Sequence, residues 1–174
     1  MNKIKFAAGG GGTAGIIHIG ALKAMIEAKK EISSIIGVSA GAIFGAIYQY
    51  QQYINNGDIE KTYHEMNKIF MDLNFKEFAD TNWFYRSIFS IIKNPEKAGL
   101  YKGKSLYNWL RDKTDDIAFS DIPMDSLFVV ATEMYSGSLA VFSKQTSPDL
   151  TLARAVRASS SIQGYFRPAK IKFA

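Results

Sequence analysis

Residues 3–28 read KIKFAAGGGGTAGIIHIGALKAMIEA, with four consecutive glycines between a strand-like and a helix-like segment. A glycine run fits neither element well, because glycine raises the entropic cost of ordering a helix or a strand. Residues 2–8 have the pattern of a short strand, and apolar residues recur at helical spacing over residues 15–30. A strand, a glycine-rich turn and a helix in this order predict the first unit of a parallel α/β sheet.

The same order repeats immediately afterwards. Residues 32–47 read ISSIIGVSAGAIFGAI: a β-branched strand over residues 32–36, a turn flanked by glycines, and a helix predicted over residues 40–55. A right-handed crossover places the two strands parallel in one sheet, with their carboxyl ends at the same edge. The glycine loop and the turn after Ile36 are therefore predicted to meet at that edge.

The rest of the chain completes one domain, residues 1–174. We predict mostly helical structure over residues 58–116, a buried strand at 127–132 that forms a hairpin with LAVFS (139–143), and a short helix at 151–158. The final AKIKFA (169–174) has the pattern of a strand that has just begun. The predicted fold is α/β, with a mostly parallel central sheet covered by helices in three layers and incomplete on its C-terminal side.

Composition excludes several classes of function. The chain has no cysteine, which excludes disulfides, thiolate metal sites and a cysteine nucleophile. The net charge of +5 comes from dispersed lysines without the dense block of a nucleic-acid-binding arm, so we expect no nucleic-acid partner. Neither a signal peptide nor a membrane span is recognisable in the sequence, and we expect a cytoplasmic or peripheral membrane protein.

Ser39 is the candidate nucleophile. It is the central residue of Gly37-Val38-Ser39-Ala40-Gly41, a G-x-S-x-G pattern between a predicted strand and a predicted helix. A sharp turn in that position holds its serine in strained dihedrals and presents the hydroxyl at the sheet edge. The structural alternative is a tight turn in which the serine caps the helix, and the strand–turn–helix context favours the nucleophile.

Gly10, Gly11 and Gly12 are the candidate oxyanion hole. Successive glycines turn several N–H groups toward one point without Cβ obstruction, at the start of a helix. A second hypothesis treats Gly10-x-Gly12-x-x-Gly15 as a dinucleotide-binding loop. That motif requires an acidic residue at the end of the second strand, and none is present there.

The general base is predicted to be a carboxylate. His18 and His64 are the two histidines of the chain, and a structural role is the more common one for each. A serine–aspartate–histidine triad in α/β-hydrolase order requires a histidine late in the chain, and none follows residue 64.

Four ordered blocks resemble the patatin-like phospholipase family. GGGTAGIIHIGAL resembles its glycine-rich loop, IIGVSAGAIFGAI its nucleophile turn, VVATEMYSGSLAVFS its internal strand pair, and ARAVRASSSIQGYFRPAKI its late A-S-x-A-x-P and F-x-P segment. The resemblance implies a serine–aspartate dyad on an α/β sheet, which cleaves acyl esters of phospholipids or other lipids without metal or organic cofactor. Ser39 would then be the nucleophile and Gly10, Gly11 and Gly12 the oxyanion loop.

The chain departs from the family pattern at three places. Ala14 stands where the family usually has Arg or Lys, and Gln163 where it has proline. The family's catalytic aspartate lies in a D-G-G/A motif beyond F-x-P, and this chain contains no Asp-Gly pair. We therefore expect a longer polypeptide that includes the motif to hydrolyse lipid esters and the 174-residue chain not to. The alternative is an inactive relative that binds a lipid or a protein partner.

The last prediction concerns a segment that could lie at a lipid interface. NWFYRSIFSIIKN (82–94) carries aromatic and aliphatic residues beside Arg86 and Lys93. A helix of this composition suits either a cap packed on the core or a lid that touches an anionic lipid surface. The sequence leaves the oligomeric state and the lipid head group open.

Overall fold

The computed structural model describes residues 2–80, 99–122 and 126–171. Two consecutive strand–helix units form its first part: β1 (Asn2–Ala8), a 3₁₀ turn (Gly12–Ile16), α1 (Ile17–Glu27), β2 (Lys30–Val38) and α2 (Ala40–Ile54). The predicted order is confirmed, and the bounds of β2 and α1 differ from the predicted ones by two residues or more. β2 is longer than predicted because its pairing with β1 already begins at Lys30. α1 starts later because the chain leaves the glycine loop as a 3₁₀ turn.

The second part supplies a further layer of helices and two more strands. Its elements are α3 (Ile59–Met71), a 3₁₀ segment (Phe75–Phe78), α4 (Lys104–Thr114), a 3₁₀ segment (Phe119–Asp121), β3 (Leu127–Thr132), β4 (Leu139–Phe142) and α5 (Leu152–Ser159). The predicted hairpin and short helix are confirmed. Residues 169–171 do not form the predicted terminal strand, and the rest of AKIKFA lies outside the described residues.

The sheet has the strand order β1-β2-β3-β4 and is mostly parallel, as predicted. β1 and β3 each pair with β2 in parallel, and β4 pairs with β3 antiparallel. Right-handed crossovers that advance in one direction place α1 and α2 on the same face of the sheet. Exposure agrees with this placement, since Ile35 is 0% exposed and its neighbour Ile36 is 45% exposed.

α2 lies at the centre of the core. Every residue from Ala40 to Gln51 is buried. The Phe44 ring contacts the rings of Phe6, Tyr48 and Phe70, which belong to β1, α2 and α3. A helix that is buried on all sides is typical of a core position between two layers. The turn at the start of α2 is therefore attached to a helix whose first twelve residues are buried.

Arg157 of α5 ties three distant segments together inside the core. Its guanidinium donates hydrogen bonds to the carbonyls of Gly103 at 2.9 Å, Lys102 at 3.0 Å and Arg167 at 2.8 Å. The guanidinium carbon also lies 5.2 Å from the centre of the Phe166 ring. Burial lowers the pKa of Arg157, and the carbonyl oxygens compensate the buried charge. Arg157 thus holds the chain on both sides of the cavity described below.

Candidate active site

Ser39 occupies the sharp turn between β2 and α2. Its φ of 53° and ψ of −115° lie in a region that residues other than glycine rarely adopt, so the predicted strain is confirmed. The Ser39 amide donates to the Ser159 hydroxyl at 2.8 Å, and that hydroxyl donates to the Val130 carbonyl at 2.5 Å. β3 and α5 therefore hold the strained turn in place. The side chain of Ser39 is partly exposed, at the positive end of the 15-residue helix α2.

The two glycines that flank Ser39 are required by close backbone approach. A Cβ at Gly37 would lie 2.6 Å from the Gly41 carbonyl oxygen, across the turn. A Cβ at Gly41 would lie 2.0 Å from the Ala8 carbonyl oxygen, where α2 starts against the end of β1. The G-x-S-x-G pattern therefore reflects a turn packed so closely that neither position has room for a side chain.

The glycine loop faces Ser39, as predicted from the shared sheet edge. A Cβ at Gly10 would lie 3.4 Å from the Ser39 Cβ, and a Cβ at Gly15 would lie 2.6 Å from the Ala40 Cβ. Glycine at position 15 lets the turn after the loop lie directly against the start of α2, whereas a Cβ at Gly10 would make only an ordinary van der Waals contact with Ser39. The structure thus brings together the two segments that carry the predicted site residues.

The amides of the loop are available to a ligand. Gly10 and Gly11 lie outside any helix or strand, and within the described residues their N–H groups donate to no protein acceptor. Gly12 has a φ of 54°, in the left-handed region that favours glycine. Free N–H groups beside a partly exposed hydroxyl form an arrangement that could stabilise a developing oxyanion.

His18 anchors the loop from below. Its Nε2 lies 3.0 Å from the Gly9 carbonyl oxygen, and because a carbonyl only accepts, Nε2 carries the proton. The ring is 9% exposed and contacts the rings of Phe6 and Phe44. Packing on both rings fixes the direction of this donor. His18 thus has a structural role beneath the loop, whereas His64 lies on the exposed side of α3.

Among the described residues, the Ser39 hydroxyl makes no hydrogen bond, and no carboxylate contacts it. Glu133, in the turn after β3, accepts hydrogen bonds from the Ser136 hydroxyl and from the amides of Tyr135 and Ser136, which lowers its pKa. Asp121 accepts from the Ala118 amide at 2.8 Å. Both carboxylates accept hydrogen bonds within their own turns, and neither makes a hydrogen bond to Ser39.

An apolar cavity of about 260 Å³ opens beside Ser39. Gly12, Thr13, Ser39 and Ser160 contribute polar groups to its lining. Most of the other lining residues are apolar and come from separate parts of the chain: Ile43, Phe75, Phe78, Leu106, Ile162 and Phe166. A mostly hydrophobic cavity with a few polar groups is typical of sites for small apolar ligands.

A second cavity, of about 240 Å³, adjoins the first. The two share a wall formed by Gly12, Thr13, Ala40, Ile43 and Phe75. The residues that line only the second cavity come from the 3₁₀ turn before α1 and from the end of α3 and the chain after it: Gly15, Ile16, Phe70, Met71 and Leu73.

The predicted interfacial segment, residues 82–94, lies outside the residues that the structure describes. Within the described ranges, no group of three or more histidine, aspartate and glutamate side chains could hold a metal ion. No helix there is both long enough and apolar enough to cross a bilayer.

Some residues of the site were missed by sequence reasoning. Ser159, which accepts the Ser39 amide, stands 120 positions later, and Phe75, Phe78 and Leu106 carry no local motif. The only local sign of these contacts in the sequence was the run Ser159-Ser160-Ser161 at the end of a predicted helix. This run does not show which groups its hydroxyls bind.

Comparison with known proteins extends this description. The family model for the patatin-like phospholipase domain matches residues 6–173. The uncharacterized protein YqhO of Bacillus subtilis is 28% identical over 94% of this chain, which spans 57% of YqhO. The neuropathy target esterase sws of Drosophila virilis is 28% identical over 96% of the chain, which spans 10% of that esterase.

Two solved structures share the fold. ExoU of Pseudomonas aeruginosa, in its complex with SpcU, superposes with a TM-score of 0.63 at 18% identity, over 93% of this chain and 38% of that one. VipD of Legionella pneumophila superposes with a TM-score of 0.61 at 16% identity, over 93% and 43% of the two chains. At these identities the likeness concerns the fold alone.

Proposed function

Because the chain belongs to the patatin-like phospholipase family, we propose that it is a serine lipid acyl hydrolase with Ser39 as the nucleophile. The observation that carries the proposal is the position of Ser39. It is held in a strained turn with its side chain partly exposed and with the glycine loop directly opposite. Strain of this kind costs about 1–3 kcal/mol and persists where the surroundings enforce it, most often at functional sites.

The reaction would proceed by acyl transfer. The Ser39 oxygen attacks the ester carbonyl while its proton passes to a base, and the negative charge on the carbonyl oxygen is stabilised by the amides of Gly10, Gly11 and Gly12. The alcohol leaves with a proton, and Ser39 carries the acyl group. Water then attacks the acyl ester, releases the fatty acid and restores the serine hydroxyl. The Ser39 amide itself is occupied by Ser159, so the oxyanion donors come from the loop.

The acyl chain would occupy the cavity beside Ser39. Burial of each methylene contributes about 0.8 kcal/mol, and most of the residues that line this cavity are apolar. Exposed apolar side chains surround the two cavities, among them Ile16 at 40%, Met71 at 65% and Ile162 at 51% exposure. Such a rim suits contact with the surface of a lipid aggregate from which the substrate enters.

The base is proposed to be the aspartate of a D-G-G/A motif contributed by sequence outside these 174 residues. The motif is absent from the chain, and no described carboxylate contacts Ser39. An aspartate that takes the serine proton directly and later orients water completes a two-residue mechanism. The missing carboxylate also supports a second candidate, an inactive relative that binds lipid in the same cavity without cleaving it.

Labelling with a fluorophosphonate probe tests the proposal in the full product of the gene. The probe is expected to form a covalent adduct on Ser39, identified by mass spectrometry of the digested protein, and Ser39→Ala is expected to remove it. An adduct on a different residue would contradict the assignment of Ser39. No adduct together with binding of phospholipid vesicles would favour the inactive lipid-binding alternative.

The His18 contact leads to a separate prediction about the loop. His18→Leu fills the packed position with an apolar side chain but removes the donor to Gly9, so the loop amides lose their fixed direction. We expect kcat to fall about tenfold with KM little changed, a smaller loss than the roughly 10²–10³-fold cost of deleting an oxyanion donor. His18→Gln, which places an amide N–H at a similar reach, is expected to restore most of kcat. Equal kcat values for His18→Leu and His18→Gln would contradict the prediction.

A further inference from the structure

The cavity beside Ser39 contains a polar group that the proposed reaction does not use. Ser160, the residue directly after α5, lines this cavity and is 4% exposed. Its Oγ is buried, and within the part of the chain that the structure describes it has no hydrogen-bond partner. Buried hydroxyl groups in folded proteins are nearly always paired, because an unpaired one destabilises the fold. An unpaired hydroxyl at a cavity therefore points to a partner on the ligand.

The two serines next to Ser160 differ from it in both respects. The Ser159 hydroxyl accepts the Ser39 amide and donates to the Val130 carbonyl, and the Ser161 hydroxyl accepts from the Arg157 guanidinium at 2.7 Å. Neither of these two serines lines the cavity. Of three consecutive hydroxyls, the two that are paired hold the protein together, and the one at the cavity is left for another partner.

Ser160 lies near the reacting end of the cavity. It follows Ser159, whose Oγ is 2.8 Å from the Ser39 amide nitrogen, and consecutive Cα atoms are about 3.8 Å apart. Ser39 is partly exposed, whereas Ser160 is buried. An ester whose carbonyl is at Ser39 and whose acyl chain enters this cavity therefore brings the first carbons of that chain toward Ser160.

We propose that Ser160 selects acyl chains that carry an oxygen substituent near the ester, such as a 3-hydroxyacyl group. This inference rests on the proposed function and names its substrate class. A serine hydroxyl both donates and accepts, so it can pair with a hydroxyl on the chain. A purely hydrocarbon chain would leave Ser160 unpaired in a mostly apolar lining. A site built to hydrogen-bond a substrate hydroxyl discriminates against the analogue that lacks it.

A pair of esters that differ in one hydroxyl tests the inference in the full product of the gene. The substrates are the 4-methylumbelliferyl esters of 3-hydroxyoctanoic acid and of octanoic acid. The measured quantity is the ratio of kcat/KM for the hydroxyacyl ester to kcat/KM for the plain ester. Ser160→Ala removes the unpaired hydroxyl with little change in volume. Ser161→Ala is the matched control, because it removes the neighbouring hydroxyl, which does not line the cavity.

Ser160→Ala is expected to lower this ratio about tenfold, the factor that corresponds to one hydrogen bond. Ser161→Ala is expected to leave the ratio near that of the wild type. The urea midpoints should differ in the opposite sense. Ser161→Ala breaks the hydrogen bond from Arg157 and lowers the midpoint, whereas Ser160→Ala breaks none and does not lower it. A clearly lower midpoint for Ser160→Ala would show that its hydroxyl has a structural partner and would overturn the inference.

The possible failures are distinguishable. If both esters are hydrolysed through Ser39 and Ser160→Ala keeps the wild-type ratio, the inference is wrong and the proposed function stands. A ratio lowered equally by Ser161→Ala also overturns it, because the effect then comes from the end of α5 as a whole. If the wild type hydrolyses neither ester, the proposed function fails. The dissociation constants of 3-hydroxyoctanoate and octanoate, measured by calorimetry, then decide: a preference for the hydroxy acid that Ser160→Ala removes supports the inference, and any other result overturns it.

Discussion

Replacing Ser39 by alanine is expected to lower kcat/KM for lipid esters by about 10⁴-fold or more in the full product of the gene. The proposed reaction needs a covalent bond to the Ser39 oxygen, and the loop amides act only after that bond begins to form. Loss of the nucleophile therefore removes the acyl-enzyme route, leaving only the slow attack of water in a site that still binds the substrate. Hydrolysis of a chromogenic acyl ester and of a phospholipid measures the effect.

Ser39→Gly separates catalysis from the strain of the turn. The left-handed φ of 53° at this position destabilises serine and alanine, and it does not destabilise glycine. Ser39→Gly is therefore expected to be as inactive as Ser39→Ala and more stable to urea unfolding by about 1 kcal/mol. Activity of Ser39→Ala near that of the wild type would remove the nucleophile assignment. Equal stability of the two variants would show that the turn carries no such strain.

Gly41→Ala is expected to have the largest effect on stability, a loss of about 3 kcal/mol or more in the free energy of unfolding. The new Cβ would lie 2.0 Å from the Ala8 carbonyl oxygen and 2.3 Å from its carbon. Both atoms belong to the backbone of β1, so no side-chain rotation relieves the overlap. α2 must move away from the sheet, which disturbs the core around Phe44 and shifts Ser39 relative to the glycine loop.

Gly20→Ala is the matched control for this prediction. Gly20 lies inside α1 with open space around its ideal Cβ position, so alanine meets no atom there. Alanine is favoured over glycine within a helix, and a gain of about 0.5–1 kcal/mol is expected. Urea unfolding of both variants, followed by circular dichroism, gives the two differences. A Gly41→Ala protein as stable as the wild type would contradict the close approach of α2 to β1.

Much of the fold was predictable because its signals are local. Strand pattern, glycine turn and helix pattern alternate twice within the first 55 residues, and the chirality of the crossover then requires parallel strands with a shared edge. The meeting of the glycine loop with Ser39 follows from that rule alone. The bounds of the helices and strands were harder to predict. The start of α1 depends on how the loop packs against α2, and the pattern of AKIKFA did not produce a strand in residues 169–171.

The surroundings of Ser39 could not be predicted in the same way. The acceptor of its amide is Ser159, and the cavity walls come from residues 75–78, Leu106 and residues 160–166. The segments on either side of that cavity are joined by the hydrogen bonds of Arg157 to Lys102, Gly103 and Arg167. Each of these contacts links positions far apart along the chain, and no short pattern contains both partners.

The sequence alone therefore determined the α/β order, the strained serine turn and its encounter with the glycine loop, because spacing and chirality act between neighbouring elements. Tertiary structure decided which hydroxyl holds the Ser39 amide, that His18 supports the loop, and that two apolar cavities adjoin beside the serine. The physical reason is that cavities and buried hydrogen bonds arise from the packing of several elements at once, which depends on their relative positions in space.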